Sequence, residues 1–279
     1  MRFYFLCLPV ILLLASCSQY GKVSFEESPQ IINVSEYDPK EKQRSGRSFT
    51  PLNQSALKAN GALGLIARCG KGTHIDTKCA SFLVGAERSQ MLLGTYFYVL
   101  PNASGQSQAI RYVNRLRQIK ASYPFSTKKV LLVADFDTNC TIYQMTSFLK
   151  KLNNLTGITP VVYLENGDKI RKTLYNASRK DKAYLRKHPY WLALYSNTHK
   201  EFKTPKQLTA GSGVWDDWAM WQYAGVWWKN GRSKPYHYQQ GSWNTPRYFG
   251  NLSQPSERNG FNGTKQELLH FWKKHSWAW

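Results

Sequence analysis

The stretch Val130-Leu-Leu-Val-Ala-Asp135-Phe-Asp137-Thr-Asn-Cys140 joins an apolar run of strand length to two carboxylates at its end. Residues two apart leave a strand on the same face, with the Cα atoms of Asp135 and Asp137 about 6.6 Å apart. Neighbouring acids repel, so one is a candidate for a raised pKa and the other for an ionised partner, a division that glycoside hydrolysis uses. The alternative is that both acids open a loop after a buried strand and precede a helix that begins near Thr141.

Apolar runs alternate with segments of helical spacing on both sides of this stretch. Such alternation favours an α/β fold, a parallel sheet with helices outside, in a single domain. Periodicity does not show whether the sheet closes, but the strand count suits a TIM-barrel-like (β/α) barrel. The predicted strands are 31–34, 63–67, 91–100, 130–136, 159–164, 191–195 and 218–223. The predicted helices are 78–89, 107–120, one from about Thr141, one that holds Leu174 and Leu185, and 265–274, whose Leu268, Leu269 and Trp272 are expected to face the core.

The first 17 residues have the form of an export signal. Arg2 precedes an apolar run, 3–14, that is too short to span a bilayer as a mature helix. The tetrapeptide that ends at Cys17 looks like a bacterial lipobox, which would make Cys17 the lipid-bearing residue; ordinary cleavage nearby is the alternative. Residues 18–50 are polar and suit a tether that includes the strand 31–34, and 51–279 are expected to form the barrel domain. We therefore expect an exported, lipid-anchored protein of the bacterial cell envelope.

Three cysteines remain if Cys7 leaves with the signal and Cys17 carries lipid. An exported protein meets oxidising conditions, so one disulfide is expected among Cys69, Cys79 and Cys140, and the first two are closest in sequence. The spacing does not fix the pairing. The cysteines and histidines show no metal-ligand spacing, so neither a metal nor a cofactor is predicted.

The formal net charge of +21 and the pI near 9.8 predict a surface that attracts polyanions. Lys and Arg are spread along the whole chain, and the sequence carries no helix-turn-helix, zinc-finger or RNA-binding signature. Sequence-specific nucleic-acid binding is therefore not expected. Anionic polymers of the cell envelope are the partners that suit an exported protein.

Several predicted strands end in groups that a sugar-binding site uses. Aromatic faces stack on pyranose rings, and carboxylates and amides bond hydroxyl and N-acetyl groups. In parallel α/β architectures the site lies at the carboxyl ends of the strands. Each aromatic residue taken singly also suits the core. The candidates are Asp135, Asp137, Tyr163, Glu165, Tyr195, Trp221, Gln222 and Tyr223.

A family resemblance rests on the ordered combination of seven segments, from about Ile31 to the C-terminal helix. These are 65–76, 94–101, 135–137, 160–163, 190–195, 218–223 and 259–264, and together they resemble family 25 glycoside hydrolases, the lysozyme-like muramidases. The resemblance implies a modified β/α barrel that cleaves the β-1,4 bond between N-acetylmuramic acid and N-acetylglucosamine in peptidoglycan.

The family's central strand ends in Asp-x-Glu, in which the Glu donates a proton and the Asp stabilises developing positive charge. Asp135 matches that Asp, whereas Asp137 stands where the Glu is expected. Two further positions differ from the family pattern: Asn33 matches an Asp, and Tyr96-Phe97-Tyr98 matches Tyr-His-aromatic.

The resemblance gives roles to the candidates. Asp137 would protonate the leaving oxygen and then activate water, while Asp135 stays ionised beside the oxocarbenium or oxazolinium centre. The expected partners are peptidoglycan glycan strands and a membrane held through the lipid anchor, and the expected state is a monomer. The rivals are a non-catalytic peptidoglycan-binding protein and a basic lipoprotein that binds nucleic acid or acidic lipid through charge. The predicted glycan-binding residues are Asn33, Tyr96, Tyr98, Tyr163, Glu165, Tyr195, Trp221, Gln222 and Tyr223.

Overall fold

The structure is a computed structural model that describes residues 27–39, 51–165, 168–193, 212–227, 237–239 and 257–279. The export signal with Cys17, much of the predicted tether and Tyr195 lie outside these ranges. No helix in the described ranges is both long enough and apolar enough to cross a membrane.

Strands and helices alternate through most of the described chain. The strands are β1 (Gln30–Val34), β2 (Ala62–Lys71), β3 (His74–Ile75), β4 (Leu92–Tyr98), β5 (Lys129–Asp135), β6 (Val161–Glu165), β7 (Tyr190–Ala193), β8 (Met220–Trp227), β9 (His237–Gln239), β10 (Glu257–Phe261) and β11 (Ser276–Ala278). The helices are α1 (Gln54–Ala59), α2 (Cys79–Arg88), α3 (Gly105–Ser122), α4 (Ile142–Thr156), α5 (Asp168–Tyr175), α6 (Arg179–Leu185) and α7 (Lys265–His275). The stretch that holds Leu174 and Leu185 thus forms two helices instead of one.

Eight strands close into a barrel. Their order is β1-β10-β8-β7-β6-β5-β4-β2, and β2 pairs with β1 to complete the circle. The strands from β2 to β8 in this circle pair in parallel, as do β1 and β2, whereas β10 is antiparallel to both of its neighbours. The predicted α/β barrel in a single domain is confirmed, with one reversed strand as its modification.

Alternate residues of the strands face two different cores, because side chains of a strand point to opposite sides in turn. In β5, Leu131 and Val133 pack inside the barrel, while Val130 and Leu132 pack between the barrel and the helices. Both sides are buried, so the strand reads as one continuous apolar run. Asp135 continues the inward series of Leu131 and Val133, which places its side chain at the carboxyl mouth of the barrel.

Helix α7 closes the amino end of the barrel. Thr264 and Glu267 form a capping box that starts the helix. Leu268 and Trp272 are buried in the inner core, and the Trp272 indole N–H donates to the Leu93 carbonyl at 2.8 Å. The prediction that Leu269 also faces the core is wrong: this side chain is 40% exposed, because one residue of helix turns it away from the buried stripe.

The C-terminal tail is docked. Strand β11 pairs antiparallel with the first half of β5, with Ser276 opposite Leu131 and Ala278 opposite Lys129. Pairing of β5 with β6 begins only at Val133. The tail therefore pairs with the part of β5 that precedes its pairing with β6.

A disulfide joins Cys69 of β2 to Cys79 at the start of α2, with their Cα atoms 5.2 Å apart. Cys140 is a free, buried thiol. The pair closest in sequence is thus the bonded one.

Candidate active site

A pocket of about 200 Å³ opens at the carboxyl ends of the parallel strands. The lining residues from the parallel strands lie on the inward face of the barrel, since each belongs to the inner core or lies two residues beyond one of its apolar members. Glu257 of β10 lies on the same face as Phe261, four residues later in that strand. The lining residues are Asn33, Ser35, Tyr37, Arg68, Tyr96, Tyr98, Asp135, Asp137, Tyr163, Trp191 and Glu257.

The acid pair shares one wall of this pocket. Asp135 ends β5 and is 5% exposed, whereas Asp137 is half-buried in the loop that follows. The Asp137 backbone N–H donates to Oδ1 of Asp135 at 2.9 Å, and the Tyr98 hydroxyl donates to the Asp137 carbonyl at 2.6 Å. Phe136, between the two acids, points into the outer core. The loop backbone is therefore held so that both carboxyl groups line the same cavity.

Burial raises the pKa of Asp135 well above its ordinary value, and the charge of Asp137 raises it further. The hydrogen bond from the Asp137 N–H and the charge of Arg68 act in the opposite direction and are smaller. The raised pKa of Asp135 favours its protonated form. The role that the resemblance gives to Asp135 is instead that of the ionised acid.

Glu257 contributes a third carboxylate. It is the first residue of β10, and the reversed direction of that strand brings its start to the carboxyl ends of its neighbours. Its Oε2 accepts a hydrogen bond from the Asn33 amide. Glu257 was not among the predicted site residues. It precedes the segment 259–264 that carries the family resemblance, and the sequence around it has no pattern that indicates an antiparallel strand.

Asn33 lies at the centre of an amide network on the pocket floor. Its Oδ1 accepts from Gln222 Nε2 at 3.0 Å and from Asn259 Nδ2 at 2.8 Å. Its own amide donates to Glu257. A side chain that both accepts from two amides and donates to a carboxylate suits asparagine, since an ionised aspartate has no proton to donate.

Two aromatic residues are fixed on β6 and β7, the strands that follow β5 around the barrel. The Tyr163 hydroxyl donates to Gln222 Oε1 at 2.7 Å, and the Trp191 indole donates to Asn259 Oδ1 at 2.9 Å. The two rings meet edge to face, with centroids 4.8 Å apart. Trp191 was not among the predicted site residues, although it lies in a predicted strand. It is two residues from Ala193, and both side chains point into the barrel.

Two predicted glycan-binding residues lie elsewhere. Trp221 is fully buried and Tyr223 is 1% exposed, and both pack in the outer core between barrel and helices. Gln222 between them faces inward and supports Asn33 and Tyr163 without lining the pocket. The assignments of Trp221 and Tyr223 are wrong, since residues on either side of an inward one must point outward.

The other predicted residues divide in three ways. Tyr96 and Tyr98 line the pocket, and their binding of a glycan stays a prediction. Glu165 ends β6, but its side chain is outside the described part of the structure. Tyr195 is outside the described residues altogether.

Arg68 is the cation of the pocket lining. Its Nε donates to both oxygens of Asp76, at 2.8 and 3.0 Å, and its guanidinium lies 5.2 Å from the centre of the Tyr37 ring. Glu36 is 2.7 Å from His74 Nε2. Although Glu36, His74 and Asp76 are close enough together for a metal ion, their oxygens are already engaged by Arg68 and His74. The cluster thus holds the Arg68 side chain in place through ion pairs.

Comparison with known proteins identifies relatives of this architecture. Residues 34–231 match the family model described as Glycosyl hydrolases family 25. No curated protein sequence matches the chain.

Three solved structures illustrate the similarity. A bacterial lysozyme from Streptomyces coelicolor is 20% identical with a TM-score of 0.54, over 87% of this chain and 95% of that one. A family GH25 lysozyme from Aspergillus fumigatus is 19% identical with a TM-score of 0.56, over 89% and 99%. A family 25 glycosyl hydrolase from Bacillus anthracis is 12% identical with a TM-score of 0.57, over 93% and 99%. At these identities the structures show a shared fold.

Proposed function

The chain belongs to glycosyl hydrolase family 25, and from this premise we propose that it is a peptidoglycan hydrolase, an N-acetylmuramidase that cleaves the β-1,4 bond between N-acetylmuramic acid and N-acetylglucosamine. The observation that carries the proposal is the acid pair Asp135 and Asp137 on one wall of the barrel-mouth pocket. The pocket also has the aromatic and amide groups that hold a sugar ring.

The two acids would act as a pair that enters the reaction with one proton. Burial keeps that proton on the pair to a higher pH than an isolated aspartate would allow. The proton would pass from Asp135 to Asp137, the half-exposed member, and from Asp137 to the glycosidic oxygen as the bond from that oxygen to C1 breaks. Asp135, then ionised, would stabilise the positive charge at C1 or on the oxazolinium ring. Asp137 would next take a proton from the water that attacks C1.

The glycan would bind between the walls of the pocket. Tyr96, Tyr98, Tyr163 and Trp191 offer aromatic surface, and Asn33 with Glu257 offers hydrogen-bonding groups. Glu165 and Tyr195 remain predicted glycan-binding residues. The hydrogen bonds that fix Tyr163 and Trp191 hold these rings in place before the substrate arrives.

A second candidate is a non-catalytic peptidoglycan-binding protein. Asp137 stands where the family has Glu and is one methylene shorter, and a displacement of about 1 Å costs roughly a hundredfold in rate. Asn33 further replaces a family carboxylate with a neutral amide. These two positions favour retained binding without turnover.

Digestion of purified peptidoglycan separates the two candidates. The hydrolase releases fragments with new muramic acid reducing ends, which mass spectrometry identifies, and Asp137→Asn lowers the release at least a hundredfold. Asp216→Asn, which changes an exposed aspartate outside this pocket, is the matched control. Pull-down on insoluble peptidoglycan without release of fragments would instead support the binding protein.

We also propose that the chain is a monomeric lipoprotein of the bacterial cell envelope, anchored through Cys17. The lipobox-like sequence before Cys17 supports this location. Incorporation of labelled palmitate into the wild type but not into Cys17→Ala is the expected result. Equal lack of label in both, with cleavage of the signal, would indicate ordinary export.

A further inference from the structure

The amino end of the barrel, opposite the pocket, carries a second surface of distinct chemistry. We propose that this end is a docking face for an anionic phospholipid bilayer. The docking face is defined by Tyr123, Phe125, Lys128, Lys129, Trp277 and Trp279. These residues belong to the loop that leads into β5 and to the tail that pairs with the start of β5.

Half-buried aromatic rings form the centre of the docking face. Phe125 and Trp279 have ring centroids 5.0 Å apart, and Tyr123, whose ring centroid lies 6.3 Å from that of Phe125, is 42% exposed. The Trp279 indole donates to the Thr127 carbonyl at 3.3 Å, which ties the end of the tail to the loop. Aromatic side chains with one apolar edge and one polar end are the residues that collect at the headgroup level of a bilayer.

Cations surround these rings. Lys120 Nζ lies 5.6 Å from the centre of the Trp279 ring, and the Arg117 guanidinium lies 5.9 Å from that of Trp277. Lys128 and Lys129 are exposed beside them. Among the described residues, Glu87 is an acid that contacts this loop, and it accepts hydrogen bonds from the Thr127 backbone N–H and the Ser126 hydroxyl. The docking face therefore has a clear excess of positive charge.

The outer side of α7 extends the same chemistry. Leu269 is 40% exposed, and Lys273 and Lys274 are exposed in the last turn, directly before the tail. An exposed aliphatic side chain among lysines can lie against acyl chains while the ammonium groups reach lipid phosphates.

This arrangement suits a bilayer better than nucleic acid. Stacking on bases requires open ring faces, but Arg117 and Lys120 lie over Trp277 and Trp279. Aromatic side chains and cations are the groups that meet lipid headgroups at a bilayer interface, and the docking face supplies both. Docking by this end would direct the pocket, at the opposite end of the barrel, away from the membrane.

Vesicle co-sedimentation of the full chain tests the proposal. Phosphatidylcholine vesicles that contain phosphatidylglycerol are compared with pure phosphatidylcholine vesicles, at low and high salt. The test variant Lys128→Glu/Lys129→Glu changes two exposed residues, and Arg179→Glu/Lys180→Glu, at the exposed start of α6, is the charge-matched control. A second variant, Trp277→Ala/Trp279→Ala, removes the aromatic rings without a change in charge.

The test variant should partition onto the anionic vesicles at least about tenfold more weakly than the wild type, and the control should stay near the wild type. The tryptophan variant should also bind more weakly, and high salt should reduce the wild type's preference for anionic vesicles. Insertion of the apolar N-terminal run would be common to all variants and insensitive to salt. Equal losses in test and control variants, no preference for anionic vesicles, or docking-face-dependent binding of DNA alone would each overturn the proposal. The assay does not depend on hydrolysis, so it stands apart from the proposed function.

Discussion

At the scale of single residues, Asp135 is placed where its ionisation opposes folding. Its pKa is raised in the folded protein, so the unfolded chain releases this proton at a lower pH than the folded one. Stability is therefore lost as the pH rises from the ordinary aspartate pKa through the raised one. The ionised form of Asp135, which the proposed reaction uses, therefore lowers the stability of the folded protein.

We expect Asp135→Asn to unfold at a higher temperature than the wild type at neutral pH and to lose at least about a hundredfold in peptidoglycan hydrolysis. The gain in stability should shrink as the pH falls toward the ordinary aspartate pKa, where the wild-type carboxyl is also neutral. Thermal unfolding at several pH values checks this. A lower melting temperature at neutral pH would show that Asp135 is stabilised as a carboxylate.

A substitution at Asp137 is expected to raise the activity. Asp137→Glu restores the residue that the family pattern has, and the added methylene moves the carboxyl group about 1 Å toward the glycosidic oxygen. We expect muropeptide release to increase, by up to about a hundredfold if reach limits the rate. Unchanged or reduced release would show that the loop held by Tyr98 already brings the shorter side chain close enough.

The sequence located some site residues better than others. The strand parity of β5 placed Asp135 correctly, because a run of apolar residues leads directly to it. In β8 both faces are buried, so the alternation Trp221-Gln-Tyr223 did not show which residues point inward. Glu257 depends on the pairing of β10 with distant strands, which no local pattern encodes. Arg68 follows Ile66 of the inner core by two residues, as Asp135 follows Val133.

At the scale of elements, two buried histidines hold the segment that enters β6. His188 Nδ1 lies 3.0 Å from the Pro160 carbonyl, and His275 Nδ1 lies 2.9 Å from the Thr159 carbonyl. Burial lowers the pKa of His188 to about 4 and also lowers that of His275. Both side chains thus fold as neutral donors.

This arrangement predicts acid sensitivity. Because the folded pKa of His188 is below the unfolded one, stability is lost as the pH falls from about 6.5 to about 4, by roughly 3 kcal/mol for this group. His188→Asn keeps a donor but cannot titrate, so its unfolding free energy should depend less on pH in this window. Urea unfolding checks it, with the exposed His270→Asn as the matched control. Equal slopes for wild type and His188→Asn would contradict the assignment.

Helix α7 packs closely against the amino end of the barrel. A Cβ added at Gly64 would lie 2.9 Å from Cη2 and 3.3 Å from Cζ3 of Trp272. We expect Gly64→Ala to cost about 1–3 kcal/mol of unfolding free energy through overpacking. In a Trp272→Leu background the same change should cost much less, which a double-mutant cycle by urea unfolding measures. Equal costs in both backgrounds would place the strain elsewhere.

The positions of the helices and strands could be predicted from the hydrophobic periodicity. Their exact ends and the edges of their buried faces could not. Leu269 shares a helix with Leu268, and the sequence offers no sign of which lies at the edge of the buried stripe. Similarly, no local pattern indicates that the tail pairs with β5, because this pairing depends on where β6 begins.

At the scale of the whole molecule, the barrel closes through a contact between chain segments more than 200 residues apart. β10 pairs with β1 on one side and with β8 on the other, with Ile31 opposite Asn259. The sequence predicted a barrel, but not that β10 completes it, since the reversed strand has no regular apolar pattern.

Closure predicts that β10 and α7 are required for a folded barrel. A chain that ends at residue 256 should show no cooperative thermal transition, because the amino end of the barrel loses Trp272 and β1 loses a neighbour. A chain that ends at residue 276 retains both elements and is the matched control. A cooperative transition in the shorter chain would show that the remaining strands close without β10.

The late position of β10 also sets the order of assembly. Synthesis proceeds from the amino terminus onward, so β1 gains its β10 neighbour almost last. Until then the Asn33 amide lacks both Asn259 and Glu257, and the Trp191 indole lacks the acceptor that fixes its ring. An incomplete chain therefore has no finished cleft, and the proposed cleavage of glycan would be confined to complete molecules.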